Sequence, residues 1–279
     1  MTVRVVTDST ADLPRELAES LGIIVVPLHI HFGEETFEDG VTITKDEFYR
    51  RLTTGPTLPK TSAPAAGTFT EVYERLLSET DEIVSIHISS KLSATYSSAL
   101  LGRDGVKSDG KISIIDSFSA SIGLGLLAVR AAQSARTGTP LDAIVADIGA
   151  AAPRTRYFGV VDTLEFLHKG GRIGMATALL GSLLNVKPIL GLRDGVAHPI
   201  ERVRGTRQKA FDRLCEMMAN YGSISSLAVA HTTAEEEMEL LAARLAQFFP
   251  ADRIIKSRCG ATLGTYLGPN TLCLALIQE

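Results

Sequence analysis

Along the first half of the chain, short apolar runs rich in β-branched residues alternate with longer stretches whose apolar positions recur at helical spacing. The runs predict strands over 2–7, 23–32, 82–88 and 111–117, and the longer stretches predict helices over 14–21, 45–53, 68–78, 94–101, 120–137 and 140–151. Pro14 suits the first turn of a helix, Gly22 closes it, and Thr44 opens the next. Strand and helix in strict alternation predict a mostly parallel sheet covered by helices. Around Pro153 the rhythm changes. Strands are expected over 155–161, 187–192, 196–204, 226–231, 253–259 and 271–277, with a turn of the hairpin kind at Asp194-Gly195. Helices are expected over 163–169, 175–184, 208–221 and 234–248. The fold class expected is α/β in two lobes. A larger, mostly parallel α/β/α lobe takes residues 1–155, a smaller α+β lobe takes 156–279, and together they make one unit over 3–278.

The places where strands hand over to helices carry the candidate chemistry. The strand over 82–88 ends in Ser89-Ser90-Lys91-Leu92-Ser93, and Ser93 is placed to cap the helix that follows. Free backbone N–H groups and the positive end of the helix dipole then face a gap suited to a carboxylate or phosphate. The plainer reading is that these serines only cap a helix and fill a turn. The first strand likewise runs into Asp8-Ser9-Thr10-Ala11-Asp12, at the sheet edge where α/β proteins bind ligands; here too Asp12 and Asp8 would serve equally well as a cap and a turn residue. Pro59 and Pro64 bracket Thr61 and Ser62, which sets two hydroxyls on a stiff extended segment or simply makes a connecting loop. Gly123-Leu124-Gly125 falls inside a helix, where glycine permits close packing and makes no dinucleotide fingerprint. His29 and His31 share one face of a strand with no carboxylate or cysteine at matching spacing, so no metal site is expected.

Composition narrows the classes of function. With 45% hydrophobic and 22% charged residues, the chain is an ordinary globular protein. A net charge of −4, no tryptophan and 6% aromatic residues argue against a nucleic-acid partner. No apolar run is long enough to span a bilayer, so no integral membrane association is expected. No signal-peptide pattern is read at the N-terminus, and Cys215, Cys259 and Cys273 are scattered without a CxxC. A reduced, cytoplasmic protein is expected. There is no P-loop pattern, and no cofactor is expected.

Five segments, taken together and in order, carry a resemblance. They are Asp8-Ser9-Thr10-Ala11-Asp12-Leu13-Pro14, Thr61-Ser62-Ala63-Pro64, Ser90-Lys91-Leu92-Ser93-Ala94-Thr95-Tyr96, 163–173 (TLEFLHKGGRI) and 260–269 (GATLGTYLGP). With these segments the chain resembles the DegV family, the fatty-acid-binding subunits of bacterial fatty acid kinase. The resemblance implies an acyl chain buried in a tunnel and a carboxylate held by Thr61 and Ser93, with Ser62, Thr95 and Tyr266 as further ligand-binding residues. It also implies an ATP-dependent fatty acid kinase that docks on this protein and phosphorylates the bound acid. Arg172, Arg202 and Arg204 become candidates for the docking face or for the acyl-phosphate, and the chain itself is implied to be a non-catalytic partner in phospholipid metabolism. Two positions depart from the family's pattern. Ala94 replaces a usual glycine, and Tyr266 stands where a histidine is usual. A phenol donates a hydrogen bond but, unlike imidazole, shuttles no proton near neutral pH.

A long apolar tail with one anionic head needs a dry cavity with a few donors at its mouth. Each buried methylene contributes about 0.8 kcal/mol, so the tail would supply most of the affinity and the hydroxyls would fix orientation. The helix expected over 175–184 either packs a lobe or lines the tunnel. Two other functions stand beside the leading one. A serine hydrolase would use Ser93 as nucleophile with His87 or His231 as base, although Ser93 lacks the G-x-S-x-G elbow. A phosphometabolite-binding protein would use the same helix start.

Overall fold

The computed structural model describes residues 3–180 and 186–279. In chain order the strands are β1 (Arg4–Asp8), β2 (Ile23–Val26), β3 (His29–Phe32), β4 (Glu35–Glu38), β5 (Lys60–Ser62), β6 (Glu82–His87) and β7 (Lys111–Asp116). They continue with β8 (Thr155–Val160), β9 (Val186–Arg193), β10 (Val196–Arg204), β11 (Ile224–His231), β12 (Ile255–Arg258) and β13 (Leu272–Gln278). The α-helices are α1 (Arg15–Leu21), α2 (Lys45–Thr54), α3 (Ala66–Leu77), α4 (Thr95–Asp104) and α5 (Ile122–Arg136). After them come α6 (Leu141–Ala151), α7 (Glu165–Lys169), α8 (Arg207–Met218), α9 (Glu235–Leu245) and α10 (Ala261–Leu267).

The first sheet has the order β2-β1-β6-β7 and is parallel throughout, as the alternation of elements predicts. Parallel strands covered on both faces read as unbroken apolar runs, and β1 and β6 are buried at nearly every position. On one face, Phe69 and Tyr73 of α3 pack with Val6, Ile83 and Ala99. The other face meets α5 and α6. A second sheet, β10-β9-β8-β13-β11-β12, is antiparallel except for the β11–β12 pair. Its outer face carries α8 and α9, where Leu214 and Leu241 join Phe158 and Leu274 in one cluster.

α5 is the element both sheets share. Eleven of its fifteen residues are buried, and its cluster includes Val84 and Ile86 from the first sheet and Ala228, Ala275 and Ile277 from the second. From Ile122 to Val129 every residue is buried, and a helical segment apolar on every side is stable only when covered on every side. Gly125 shows how close that cover is, because a Cβ there would lie 2.6 Å from the carbonyl oxygen of Ala11. The layers therefore run helix, sheet, helix, sheet, helix. A third sheet, β4-β3-β5, sits over α2, where Ile30, Phe48 and Tyr49 pack with Ala261 of α10.

The structure differs from the sequence pattern in several places. The strand expected over 23–32 is two strands in two sheets. β2 pairs with β1 as far as Val26, then Pro27, which has no N–H to donate, ends the ladder and lets the chain swing into β3. The helix expected at 94 starts at Thr95, with Ala94 as its cap residue, so Ser93 is not the N-cap. Within the helix expected over 175–184, Gly174–Leu179 forms a 3₁₀ helix, and 181–184 lie outside the described residues, as does Thr2 of the first expected strand. β5 and α10 are elements the pattern did not announce. No described helix is long and apolar enough to cross a membrane.

Candidate functional site: a cavity at the carboxyl ends of the parallel strands

β1 lies between β2 and β6, so successive connections leave the parallel sheet on opposite sides. Open α/β sheets bind ligands in the crevice such a switch creates, beyond the carboxyl ends of the strands. A cavity of about 290 Å³ lies there, at the low end of the roughly 300–1,000 Å³ typical of small-molecule sites. Ile88 and Leu92 border it from the segment after β6, Val161 from the end of β8, Leu192 from β9, and Leu263 and Leu267 from α10. Most of its wall is apolar.

The polar groups converge on one place. Thr61 Oγ1 and Tyr266 Oη are hydrogen-bonded at 2.5 Å, although 205 residues separate them in the chain. The Arg172 guanidinium stacks on the Tyr266 ring at 5.2 Å and donates to the carbonyl of Leu92, next to Ser93, at 3.3 Å. Tyr266 can approach because residue 170 is glycine, where a Cβ would stand 2.6 Å from Tyr266 Cε1. Thr61, Ser62, Ser93, Arg172 and Tyr266 all line the cavity.

Ser93 is half-buried; its Oγ accepts from Thr95 N at 3.2 Å and pairs with Thr95 Oγ1 at 2.8 Å. Thr95 itself is fully buried, is not among the lining residues, and supports Ser93 from behind. Ser62 bonds His31 Nε2 at 2.9 Å, and the other nitrogen of His31 bonds Thr36 at 3.0 Å. Arg202 and Arg204 are exposed on β10 and lie outside the cavity wall. Arg202 donates weakly to the carbonyl of Ala178 at 3.4 Å.

The hydrolase reading lacks its base. His87 is fully buried and engaged with Ser85 at 2.7 Å and Asp8 at 2.9 Å, and among the described residues no histidine bonds Ser93. A nucleophile needs a base within hydrogen-bond reach.

Thr61, Arg172 and Tyr266 also border a second recess, of about 340 Å³, whose other walls include Lys60, Lys169 and Phe166. The hydroxyl cluster thus separates an apolar cavity from a basic vestibule. Sequence reasoning missed Lys60 and Lys169, and it missed Thr262, which lines the cavity one turn before Tyr266. The i,i+4 spacing of Thr262 and Tyr266 carried that information, but only once α10 is known to be a helix.

α10 is pinned by two buried carboxylates. Asp39 accepts from the backbone N–H groups of Ala261 at 2.8 Å and Thr262 at 3.1 Å, and Asp12 accepts from Gly260 N at 2.7 Å and Ser121 Oγ at 2.6 Å. Burial pushes the Asp12 carboxyl up to about 6, against the pull of Lys45 and these hydrogen bonds. Burial also lifts the phenol of Tyr157, another lining residue, well above its ordinary range.

A family model described as "Uncharacterised protein, DegV family" matches residues 2–279. A DegV domain-containing protein from Caldanaerobacter subterraneus is 37% identical over 271 residues, which span 96% of each chain. The solved structure of a DegV family protein from Thermus thermophilus, described for its fatty acid binding, matches with a TM-score of 0.91 at 33% identity and covers 100% of both chains. DegV from Bacillus subtilis, described as a fatty acid binding protein, matches with a TM-score of 0.89 at 34% identity, again over 100% of both chains. This chain belongs to the DegV family.

Proposed function

We propose that this protein binds a long-chain fatty acid and presents its carboxylate to a separate ATP-dependent kinase. The observation that carries the reading is the division of the cavity, with an apolar wall on one side and Thr61, Ser93, Tyr266 and Arg172 gathered on the other. The tail lies along the apolar wall, where each methylene adds about 0.8 kcal/mol. The carboxylate accepts from Thr61 and Ser93, with Ser62 and Tyr266 beside them and Thr95 holding Ser93. The descriptions of the Thermus and Bacillus proteins as fatty acid binders support the same ligand class. The basic vestibule supports the second half of the proposal, since Lys60, Lys169 and Arg172 offer cations to a phosphoryl group arriving at the carboxylate. Arg202 and Arg204, exposed on β10, belong to the docking face in this reading.

Delipidated protein is expected to take up one long-chain acid per chain, read by native mass spectrometry. Paired Thr61→Val and Ser93→Ala changes remove two hydroxyl donors to a charged group and should weaken palmitate binding by about a hundredfold. Binding of a long-chain methyl ester should hardly change. A wild-type protein that ignores palmitate and oleate alike would end the proposal. For the kinase, ATP and a fatty acid kinase subunit should yield an acyl-phosphate that hydroxylamine traps, and Lys60→Ala should reduce that yield while leaving palmitate binding intact.

A further inference from the structure

Thr262 and Tyr266 stand four residues apart on α10, so their side chains share one face of the helix and lie one turn, about 6 Å, apart along its axis. Thr262 is 3% exposed and lines the cavity, and its Oγ1 has no hydrogen-bond partner within the protein. Thr262, in the first turn of α10, has no carbonyl of the helix one turn behind it, whereas a threonine further in can return its hydroxyl to the carbonyl one turn back. Thr265 does this, donating to Ala261 O at 2.9 Å. Thr262 does not.

Asp39 holds the N–H groups of Ala261 and Thr262 and Asp12 holds that of Gly260, so the backbone around Thr262 is fixed in place. A buried hydroxyl without an acceptor destabilises the empty site, and a ligand oxygen that reaches it removes that cost. A ligand offering only methylenes at the same point leaves the cost in place. The site therefore discriminates between the two.

Resting on the fatty acid reading above, we propose that Thr262 is a further ligand-binding residue of this cavity. It donates to an oxygen that the bound acid carries at its carboxylate or on the first few carbons beyond it. The position one turn from Tyr266 places the hydroxyl at the head end of the ligand, and the leucines on the same helix, Leu263 and Leu267, close the wall around it.

Thr262→Val keeps the branched shape and deletes the hydroxyl, and Thr262→Ser keeps the hydroxyl. Delipidated wild type and both variants would be titrated with palmitate and with 3-hydroxypalmitate, and their melting temperatures measured without ligand. The expected result is binding about tenfold weaker in T262V, retained in T262S, with ligand-free T262V melting at or above wild type because no protein hydrogen bond is lost. A loss that includes palmitate assigns the carboxylate oxygen as the acceptor; a loss confined to 3-hydroxypalmitate assigns an oxygen on the chain. Equal binding of both acids by wild type and T262V overturns the inference and leaves fatty acid binding standing. A lower melting temperature for ligand-free T262V also overturns it, since the hydroxyl would then have a structural partner. A wild-type protein that takes up neither acid overturns the binding reading itself, and this inference with it.

Discussion

Replacing Asp8 by alanine is expected to lower the unfolding free energy by about 3–5 kcal/mol, as removal of one partner from a buried polar pair generally does. Asp8 is fully buried at the end of β1. Its Oδ1 accepts from Thr10 N at 3.0 Å and from the Thr10 hydroxyl, and its Oδ2 accepts from His87 Nδ1 at 2.9 Å and Ile88 N at 3.1 Å. Because the carboxylate only accepts, Nδ1 of His87 is the donor. Nε2 then takes the hydroxyl of Ser85 at 2.7 Å, and Ser85 takes that of Tyr73 at 2.9 Å. Alanine would strand at least three donors in a region water does not reach, each costing about 1–3 kcal/mol before relaxation. Asparagine keeps one acceptor and should cost roughly half as much. Urea unfolding decides the matter: a D8A midpoint indistinguishable from wild type would show that the chain from Tyr73 to Asp8 contributes nothing. Binding should suffer as well, because Ile88 lines the cavity and leads directly into the segment that ends at Ser93.

That chain also shows where sequence reading stops. Asp8 could be read as a turn residue or as part of an anion site, since both uses need a carboxylate at the end of a strand. Only the register of β1 against β6, which brings Asp8 beside His87 across 79 residues, selects the third use. The alternation of strands and helices was legible because hydrophobic periodicity is a local property, whereas the place of α5 between two sheets is a tertiary fact that local periodicity does not announce. The hydroxyl turn after β6 was legible for the same reason. The partnership of Thr61 with Tyr266 was not readable from periodicity or composition; it came from the resemblance of whole segments. Pro27 was visible, yet the apolar residues on both sides of it imitate one continuous strand, and the change of sheet is a tertiary event. Thr262 stayed hidden because seven residues rich in glycine and threonine make a weak helical signal, and α10 forms through the carboxylates of Asp12 and Asp39. Lys60 and Lys169 acquire meaning only when β5 and α7 are seen to face one recess.

The dependence of α10 on Asp12 has a consequence in pH. Asp12 takes its proton at about 6 in the folded protein, against an ordinary value of 3.8, and the chief cause is burial. A raised carboxyl pKa means that the native state favours the neutral form. The stabilising contribution of that proton is fully present below the unfolded value and is lost as pH rises through 6. Two pKa units correspond to about 3 kcal/mol. Asp12→Asn mimics the neutral form at every pH, and its Oδ1 can still accept from Gly260 N. Asparagine also tolerates the left-handed backbone there, where φ is +50°. At pH 4 wild type and D12N should therefore differ little, and between pH 4 and pH 7 D12N should gain about 3 kcal/mol on wild type in urea unfolding. The comparison isolates Asp12 because paired surface carboxylates such as Glu47 and Asp147, which their arginine partners hold low, titrate alike in both proteins. Parallel stability curves from pH 4 to pH 7 would mean that Asp12 is ionised throughout. The attraction of Lys45 and the hydrogen bonds from Gly260 and Ser121 would then outweigh its burial. If D12N does gain, ionised Asp12 is the less stable state of the N-terminal anchor of α10.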